Sequence, residues 1–431
     1  MAERNIICKA GKAEPSGYAA ERKSMEIRKL DKWEEWLESD RIIGTAFLHG
    51  WNEREAEEKF RKQGSGEEER REEAWGLFDD AGVMQSSFVT TTRKVMYEGC
   101  EVPISEVNMA ASLPEGRGQG NVRALMREVL RDFKDRGDVF AVLHPFSFAF
   151  YRKFGFDLVS ESLSQKLPVE QLKNFRCVHQ VRQLRCAEDT AVLKKLYRQY
   201  ISDKNLANLL TDRDFEYKGN GDYGEPDFWS GGKQRYTYIF SDEKGDHGYF
   251  RFVYEFGSEG PFVGDMRVTD FIYDSPAVFC SVLGFIYGMR SKLINVRLEL
   301  NDPIDLSRMI PECDKVSRSL SGHLMGRVLD VRKVLELLKQ PSGQGKYRIR
   351  VEDAFLPENT ETLEVVFNDG KAVSVRNTVE TADLVTDITT FTQLALGLYP
   401  FSQAVYRPGN VINGAEEIFS GLFTKKIIFA G

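Results

Sequence analysis

The chain has 431 residues and a mass of 49.2 kDa, which at about 150 residues per domain is length for two or three domains. Hydrophobic residues at 42% and charged ones at 29% exclude wholesale disorder, and a net charge of −7 with a pI near 5.6 excludes a non-specific nucleic-acid binder. Mean hydropathy is −0.39 and the longest apolar stretch, Ala277–Met289, is shorter than the ~18 residues of a membrane span, so no membrane partner is expected. Cys8, Cys100, Cys177, Cys186, Cys280 and Cys313 are scattered and form no CxxC pair, which predicts reduced thiols and a cytoplasmic location.

Residues 1–24 mix charges with Gly, Pro and Ser around one apolar cluster, Ile6-Ile7-Cys8. They lack the apolar core of a secretory signal and read as a disordered extension. Met25–Leu30 alternates polar and apolar residues and predicts a first strand, and Trp33, Trp36, Leu37, Ile43, Phe47 and Trp51 mark helical surfaces. The charge-dense run Glu53–Glu73, broken by Gly64-Ser65-Gly66, predicts a solvated helical hairpin. Strands are expected at Ala74–Phe78, Val83–Thr91 and Val102–Leu113, separated by the turns Asp79-Asp80-Ala81-Gly82 and Tyr97-Glu98-Gly99. A helix follows at Val122–Arg136, with Leu125, Met126, Val129, Leu130 and Phe133 at helical spacing, and then a short strand at Val139–Leu143.

Between the third of these strands and the helix lies Pro114-Glu-Gly-Arg117-Gly118-Gln119-Gly120-Asn121. Glycines there let backbone approach a ligand, and the helix N-terminus offers unpaired N–H donors and partial positive charge, a combination suited to pyrophosphate. A tight strand–helix connection would also recruit glycine, so the turn alone leaves both readings open. Its context resembles the GNAT acetyltransferases, and among them the enhanced-intracellular-survival (Eis) type, from about Met25 to the C-terminus. The segments that carry the resemblance are Glu106-Val-Asn-Met-Ala110-Ala-Ser112-Leu-Pro114-Glu-Gly-Arg117-Gly-Gln-Gly120, Arg123-Ala-Leu-Met126 and Leu143-His-Pro-Phe-Ser147-Phe-Ala-Phe-Tyr151-Arg-Lys-Phe-Gly155-Phe156.

The resemblance implies acetyl-CoA as co-substrate, with backbone of Ala110 and Ser112 on the pantetheine arm. The turn from Arg117 through Gly118, Gly120, Asn121 and Val122 to Arg123 would then hold the pyrophosphate. Val122 stands where the pattern has Gly or Ala, which would narrow the cradle. The resemblance assigns Tyr151 as the general acid that protonates departing CoA, and the α-carboxylate of Gly431 as the base. Gly431 departs from the aromatic ending common in the type. Read without the resemblance, Tyr151 is an amphipathic core residue and Ile427–Gly431 an inert terminal strand.

Tyr236–Phe240 and Gly248–Phe256 read as paired strands, Arg267–Tyr273 as a strand and Ala277–Met289 as a buried helix capped by Asp274-Ser275-Pro276. This repeats the order of the first region without its glycines and suggests a degenerate acetyltransferase-like unit. Gly322–Val331 resembles the junction to a sterol-carrier-protein-like domain. After it come a helix at Val331–Leu338, strands at Tyr347–Glu352, Leu363–Phe367 and Ala372–Val375, an Asn368-Asp369-Gly370 hairpin turn, and a helical motif at Thr386–Gly397. The expected fold is α+β: an extension at 1–24, a catalytic GNAT domain at 25–165, a degenerate GNAT-like domain at 166–318 and a sterol-carrier-like domain at 319–431.

His49, His144, His179, His247 and His323 make no HxxxH, and Cys177-Val178-His179 with Cys186 lacks zinc spacing, so no metal is expected. Glu34, Glu35, Glu38 and Asp40 could steer a cationic acceptor or simply line a solvated face. The combined expectation is an acetyl-CoA-dependent N-acetyltransferase acting on a polyamine-like or aminoglycoside-like amine or on protein lysine. The resemblance further implies a homo-oligomer, with a hexamer as one assembly. A non-catalytic CoA- or lipid-binding scaffold is the alternative.

Overall fold

The computed structural model describes residues 25–48, 50–63, 72–219, 221–224, 233–257, 260–300 and 304–430. The expected extension 1–24, the Gly64-Ser65-Gly66 break and Gly431 lie outside the described residues.

The first region forms β1 (Glu26–Lys29), α1 (Trp33–Phe47), α2 (Glu53–Gln63), β2 (Glu72–Phe78), β3 (Met84–Tyr97), β4 (Cys100–Ser112), α3 (Asn121–Asp135), β5 (Phe140–Leu143), α4 (Phe148–Arg152) and β6 (Asp157–Pro168). Glu72 and Glu73 therefore open a strand and do not belong to a helical hairpin. Glu73 can sit there because Lys29 (3.0 Å) and Arg136 (2.8 Å) pair with its carboxylate. β3 also continues past Thr91 to Tyr97, because Val95 and Tyr97 on its far end are fully buried.

Then come β7 (Gln180–Gln183), α5 (Ala187–Ile201), β8 (Ala207–Asn208), a small ribbon of β9 (Tyr217–Gly219) and β10 (Asp222–Tyr223), β11 (Arg235–Asp242), β12 (Gly245–Gly257), β13 (Gly260–Tyr273), α6 (Pro276–Gly288), β14 (Leu293–Leu300) and β15 (Ser317–Val328). The last region contains α7 (Val331–Leu337), β16 (Gln344–Glu352), β17 (Glu361–Asn368), β18 (Lys371–Asn377), β19 (Leu384–Asp387), α8 (Ile388–Leu396), α9 (Phe401–Ala404), β20 (Val411–Ile412) and α10 (Glu416–Leu422). Thr386 and Asp387 end a strand where a helix was expected, because the Asp387 side chain caps α8 by accepting from the Thr389 and Thr390 N–H groups.

The wiring repeats. In the first region β2, β3 and β4 form an antiparallel meander, and α3 carries the chain to a parallel β5. In the second, β11, β12 and β13 do the same and α6 leads to a parallel β14. Both halves belong to one sheet with the order β1-β2-β3-β4-β5-β15-β6-β14-β13-β12-β11-β7. Gly322–Val328 thus does not open the last region's own sheet. It lies in β15, wedged between β5 and β6 in the large sheet. A second sheet, ordered β18-β17-β16-β19-β20, belongs to the last region, and its Asp369 (φ 43°) and Gly370 (φ 83°) make the expected tight hairpin turn.

Strand alternation divides the first region's faces. On one side Leu125, Met126, Val129, Leu130 and Phe133 of α3 pack with Val107, Ala141, Leu143, Tyr151 and Phe156. On the other, Val102, Ile104, Phe140 and Val142 are covered by the last region, through Val334, Leu335, Ile388, Phe391 and Leu394. α1 also lies over β3 and β4, packing Ile42 against Ala111 and Leu113.

Candidate functional site

β4 and β5 are paired only at Ile104–Glu106 against Phe140–Val142. Beyond Glu106, β4 runs on to Ser112 without β5 beside it. A bulge sits in this free stretch: Ser87 faces Ala111 and Val89 faces Asn108, so Met109 and Ala110 together oppose Phe88. Met109 takes up the extra residue with φ 40° and is 55% exposed, while Ala110 leans on the α3 core. The bulge changes which faces the following side chains address, and nothing in the strand sequence signals it.

The glycine turn follows directly. Gly118 (φ 80°) and Gly120 (φ 87°) are left-handed, and an added Cβ at either would meet no atom within 4 Å. Conformation, not crowding, therefore demands glycine there. Gly120 is the N-cap of α3, and the first helical hydrogen bond runs from the Ala124 N–H to the Gly120 carbonyl at 3.0 Å. The N–H groups of Asn121, Val122 and Arg123 precede it and are left for a ligand. Asn121 is buried, donates weakly to the Gly116 carbonyl (3.5 Å) and keeps a buried Oδ1 without a partner among the described residues. Val122 is half-buried and packs on the α3 core, Arg117 reaches the Ala46 carbonyl of α1 (3.4 Å), and Ser112 hydrogen-bonds Ser86 (2.6 Å). An open, donor-rich turn of this kind fits a pyrophosphate.

Replacing Gly118 or Gly120 with Ala is expected to strain the folded turn by about 1–2 kcal/mol each, which lowers the melting temperature, and to weaken acetyl-CoA binding as the turn relaxes out of the left-handed region. Titration calorimetry beside a melting curve separates the two effects, and unchanged affinity in both variants would remove the turn from the site.

Tyr151 stands on α4, which Ser147 caps by accepting from the Phe150 N–H. Its ring is boxed by Phe146, Phe150, Phe154 and Phe156, with centroids 5.4, 5.2, 6.5 and 6.4 Å away. Burial pushes its phenol up to about 12, and the hydroxyl has no hydrogen-bond partner among the described residues. Tyr151, Ala110 and Val122 border the same core.

Glu106 marks the point where β4 leaves β5. It projects to the face opposite Val107, is nearly buried, pairs with Arg93 and lies 3.6 Å from His144 Nε2. His144 Nδ1 contacts the His323 carbonyl of β15 at 3.1 Å. Beside this group Asn108 donates to Thr91 at 2.9 Å. Glu106 has no role in the sequence motifs; its signal is a carboxylate at mid-strand in β4, ahead of the glycine turn. Among the acidic residues of α1, Glu35 pairs with Arg28, Glu38 with Arg41, and Asp40 accepts from Trp51 Nε1 at 3.1 Å.

Ile427–Phe429 is not frayed. The Asn205 N–H donates to the Ile427 carbonyl and the Phe429 N–H to the Asn205 carbonyl, both at 2.9 Å, while Phe429 packs against Tyr197 and Tyr200 of α5. Asn205 also bonds Glu98 at the β3–β4 turn. The described tail therefore lies at the opposite end of β4 from the glycine turn.

Residues 26–159 match the acetyltransferase (GNAT) domain family, and residues 329–426 match the sterol carrier protein domain family. The first region is a GNAT acetyltransferase domain. This assignment makes the protein an acetyltransferase, in a family that takes its acetyl group from acetyl-CoA and passes it to an amine. Similar solved structures extend over both domains. A probable N-acyltransferase from Enterococcus faecalis is 22% identical with a TM-score of 0.76, covering 94% of this chain and 97% of that one. A GCN5-related N-acetyltransferase from Anabaena variabilis (18%, TM-score 0.75) covers 94% and 98%, and Eis1 from Mycobacterium abscessus (18%, TM-score 0.70) covers 94% and 99%. At these identities the likeness is one of fold. No curated protein matches the sequence. Among the described residues no cluster of His, Cys, Asp and Glu could hold a metal, and no helix is long and apolar enough to cross a membrane.

Proposed function

We propose that the protein transfers the acetyl group of acetyl-CoA directly to a primary amine of a polyamine-like molecule, of the aminoglycoside kind, or of a protein lysine. The observation that carries this reading is the gap between β4 and β5, with the glycine turn at one end and Tyr151 against its wall. When bound, acetyl-CoA supplies an activated thioester. Ala110 and Ser112 would hold the pantetheine arm by their backbone, and residues Arg117, Gly118, Gly120, Asn121, Val122 and Arg123 the pyrophosphate. The three-part division at residues 165 and 318, a homo-oligomeric and possible hexameric assembly, and a cytoplasmic location belong to the same proposal.

In the transfer an N–C bond forms, the C–S bond breaks, the amine loses a proton and the sulfur gains one. Tyr151 donates the second proton; its raised pKa keeps the phenol protonated throughout the working range. The α-carboxylate of Gly431 takes the first. Glu106 is a second reading for that base, favoured by its position where the gap opens, on the face opposite the Tyr151 core. Residues appended after Gly431 should abolish turnover on the first reading, whereas Glu106→Gln should do so on the second.

Because the phenol holds its proton up to about 12, activity should rise as the acceptor amine deprotonates, near pH 10 for a lysine-like amine. No descending limb from Tyr151 is expected below about pH 12. A rate profile between pH 6 and roughly 10.5 checks this, and a fall within that window would point to a different acid. The overall reading is tested by thiol release from acetyl-CoA across a panel of polyamines, aminoglycosides and lysine peptides. Release with at least one amine supports it. Tight acetyl-CoA binding with no release on any amine would favour the scaffold alternative.

A further inference from the structure

α3 carries a stripe of four cations, Arg123, Arg127, Arg131 and Lys134, at spacings that bring them to one face. The two distal ones are satisfied by the sterol carrier domain: Arg131 pairs with Glu358 (3.3 Å) and Lys134 donates to Asn359 (2.8 Å). The two proximal ones have no carboxylate partner among the described residues, and Arg127 Nε is buried without a hydrogen bond. Instead both guanidinium groups converge on a single ring, Phe355 of the sterol carrier domain, at 5.2 and 5.1 Å from its centroid. Two like charges over one ring repel each other, and a ring face offsets only part of that.

Phe355 is itself held rigidly. It is buried against Phe154 (5.2 Å), and its N–H donates to Asp353 (3.1 Å), whose carboxylate is paired in turn with the buried Arg327. The loop thus presents a fixed aromatic shelf to the first two turns of α3. Arg127 lies one turn, about 5 Å, further along the helix than Arg123, away from the N-terminal turn. The Arg127 guanidinium therefore addresses a point apart from the backbone N–H groups at Gly118–Arg123.

We propose that Arg123 and Arg127, braced by Phe355, bind the 3′-phosphomonoester of the CoA nucleotide, so that the sterol carrier domain completes the cofactor site of the acetyltransferase domain. The inference rests on the acetyl-CoA reading above. A phosphomonoester matches the site because two guanidinium forks can share its oxygens and its double negative charge.

The test is calorimetric binding of CoA and of 3′-dephospho-CoA to the full chain. The wild-type protein should prefer CoA by about 10-fold or more. Arg127→Gln should erase most of that preference by weakening CoA alone, leaving 3′-dephospho-CoA within about two-fold of its wild-type affinity, whereas Arg123→Gln, at a residue of the pyrophosphate turn, should weaken both nucleotides and CoA the more. Phe355→Leu, which keeps the core filled, should reduce the preference less. Equal wild-type affinities for the two nucleotides, or equal loss for both in the arginine variants, would overturn the assignment. No binding of either nucleotide to the wild-type protein would instead overturn the acetyl-CoA reading on which it stands.

Discussion

Tyr151→Phe is expected to lower turnover by about 100-fold or more, the usual contribution of a positioned general acid, and to leave the fold intact. The phenyl ring keeps the packing against Phe146, Phe150, Phe154 and Phe156. The hydroxyl has no described partner to lose, so stability should stay within about 1 kcal/mol of wild type. The loss should fall on kcat, because a group that acts on the leaving sulfur contributes little to ground-state binding. Steady-state kinetics with acetyl-CoA beside a thermal melt would decide it. Equal kcat in the two proteins, with equal melting points, would show that the proton comes from elsewhere.

The second large effect concerns stability. Arg327 on β15 and Asp353 after β16 form an ion pair with both side chains fully buried. Arg327 also donates to the Phe154 carbonyl at 2.5 Å, at the end of the segment that carries Tyr151. Asp353 accepts from the N–H groups of Phe355 (3.1 Å) and Leu356 (2.9 Å) and from Asn359 Nδ2 (3.0 Å). Asp353→Leu would strand a guanidinium in the interior and leave those donors unmet, a loss of about 3–5 kcal/mol. The double variant Arg327→Met/Asp353→Leu should recover part of that loss, because no lone charge remains buried. Urea denaturation followed by fluorescence reads both. A single variant as stable as wild type would mean that water reaches the pair.

Gly155, with φ 80°, is tied to the same pair. A Cβ there would stand 2.7 Å from Arg327 Nη1, so the glycine of the Phe154-Gly155-Phe156 segment serves the junction as well as its own turn. The motif around Tyr151 is thus shaped partly by a strand that arrives more than 170 residues later (|i−j| of 173 for the Arg327–Phe154 bond).

Local chemistry made much of the first region legible. The α3 periodicity, the short apolar β5 and the turn sequences each carry their instruction within a few residues, and the helix and strand appear within one residue of their expected ends. Charge patterning misled at Glu72 and Glu73, whose place in β2 depends on Lys29 and Arg136, cations remote in sequence. At Gly322–Val328 the sequence marks a junction but not the place of its strand in a sheet. A strand's own residues say that it is extended, but not which edge will accept it.

The sequence by itself determined the element types, the glycine turn with its left-handed requirement, and the resemblance that singled out Tyr151. These depend on backbone preference and side-chain period, which act over one turn or a few strand residues. Only the tertiary structure decided that β15 lies between β5 and β6, that the β4 bulge and the early end of β4–β5 pairing open a gap, and that Glu106 stands at its mouth. It alone set Phe355 of the sterol carrier domain beneath Arg123 and Arg127. Those outcomes come from which surfaces bury one another and which charges find partners, balances struck between segments hundreds of residues apart that no local pattern records.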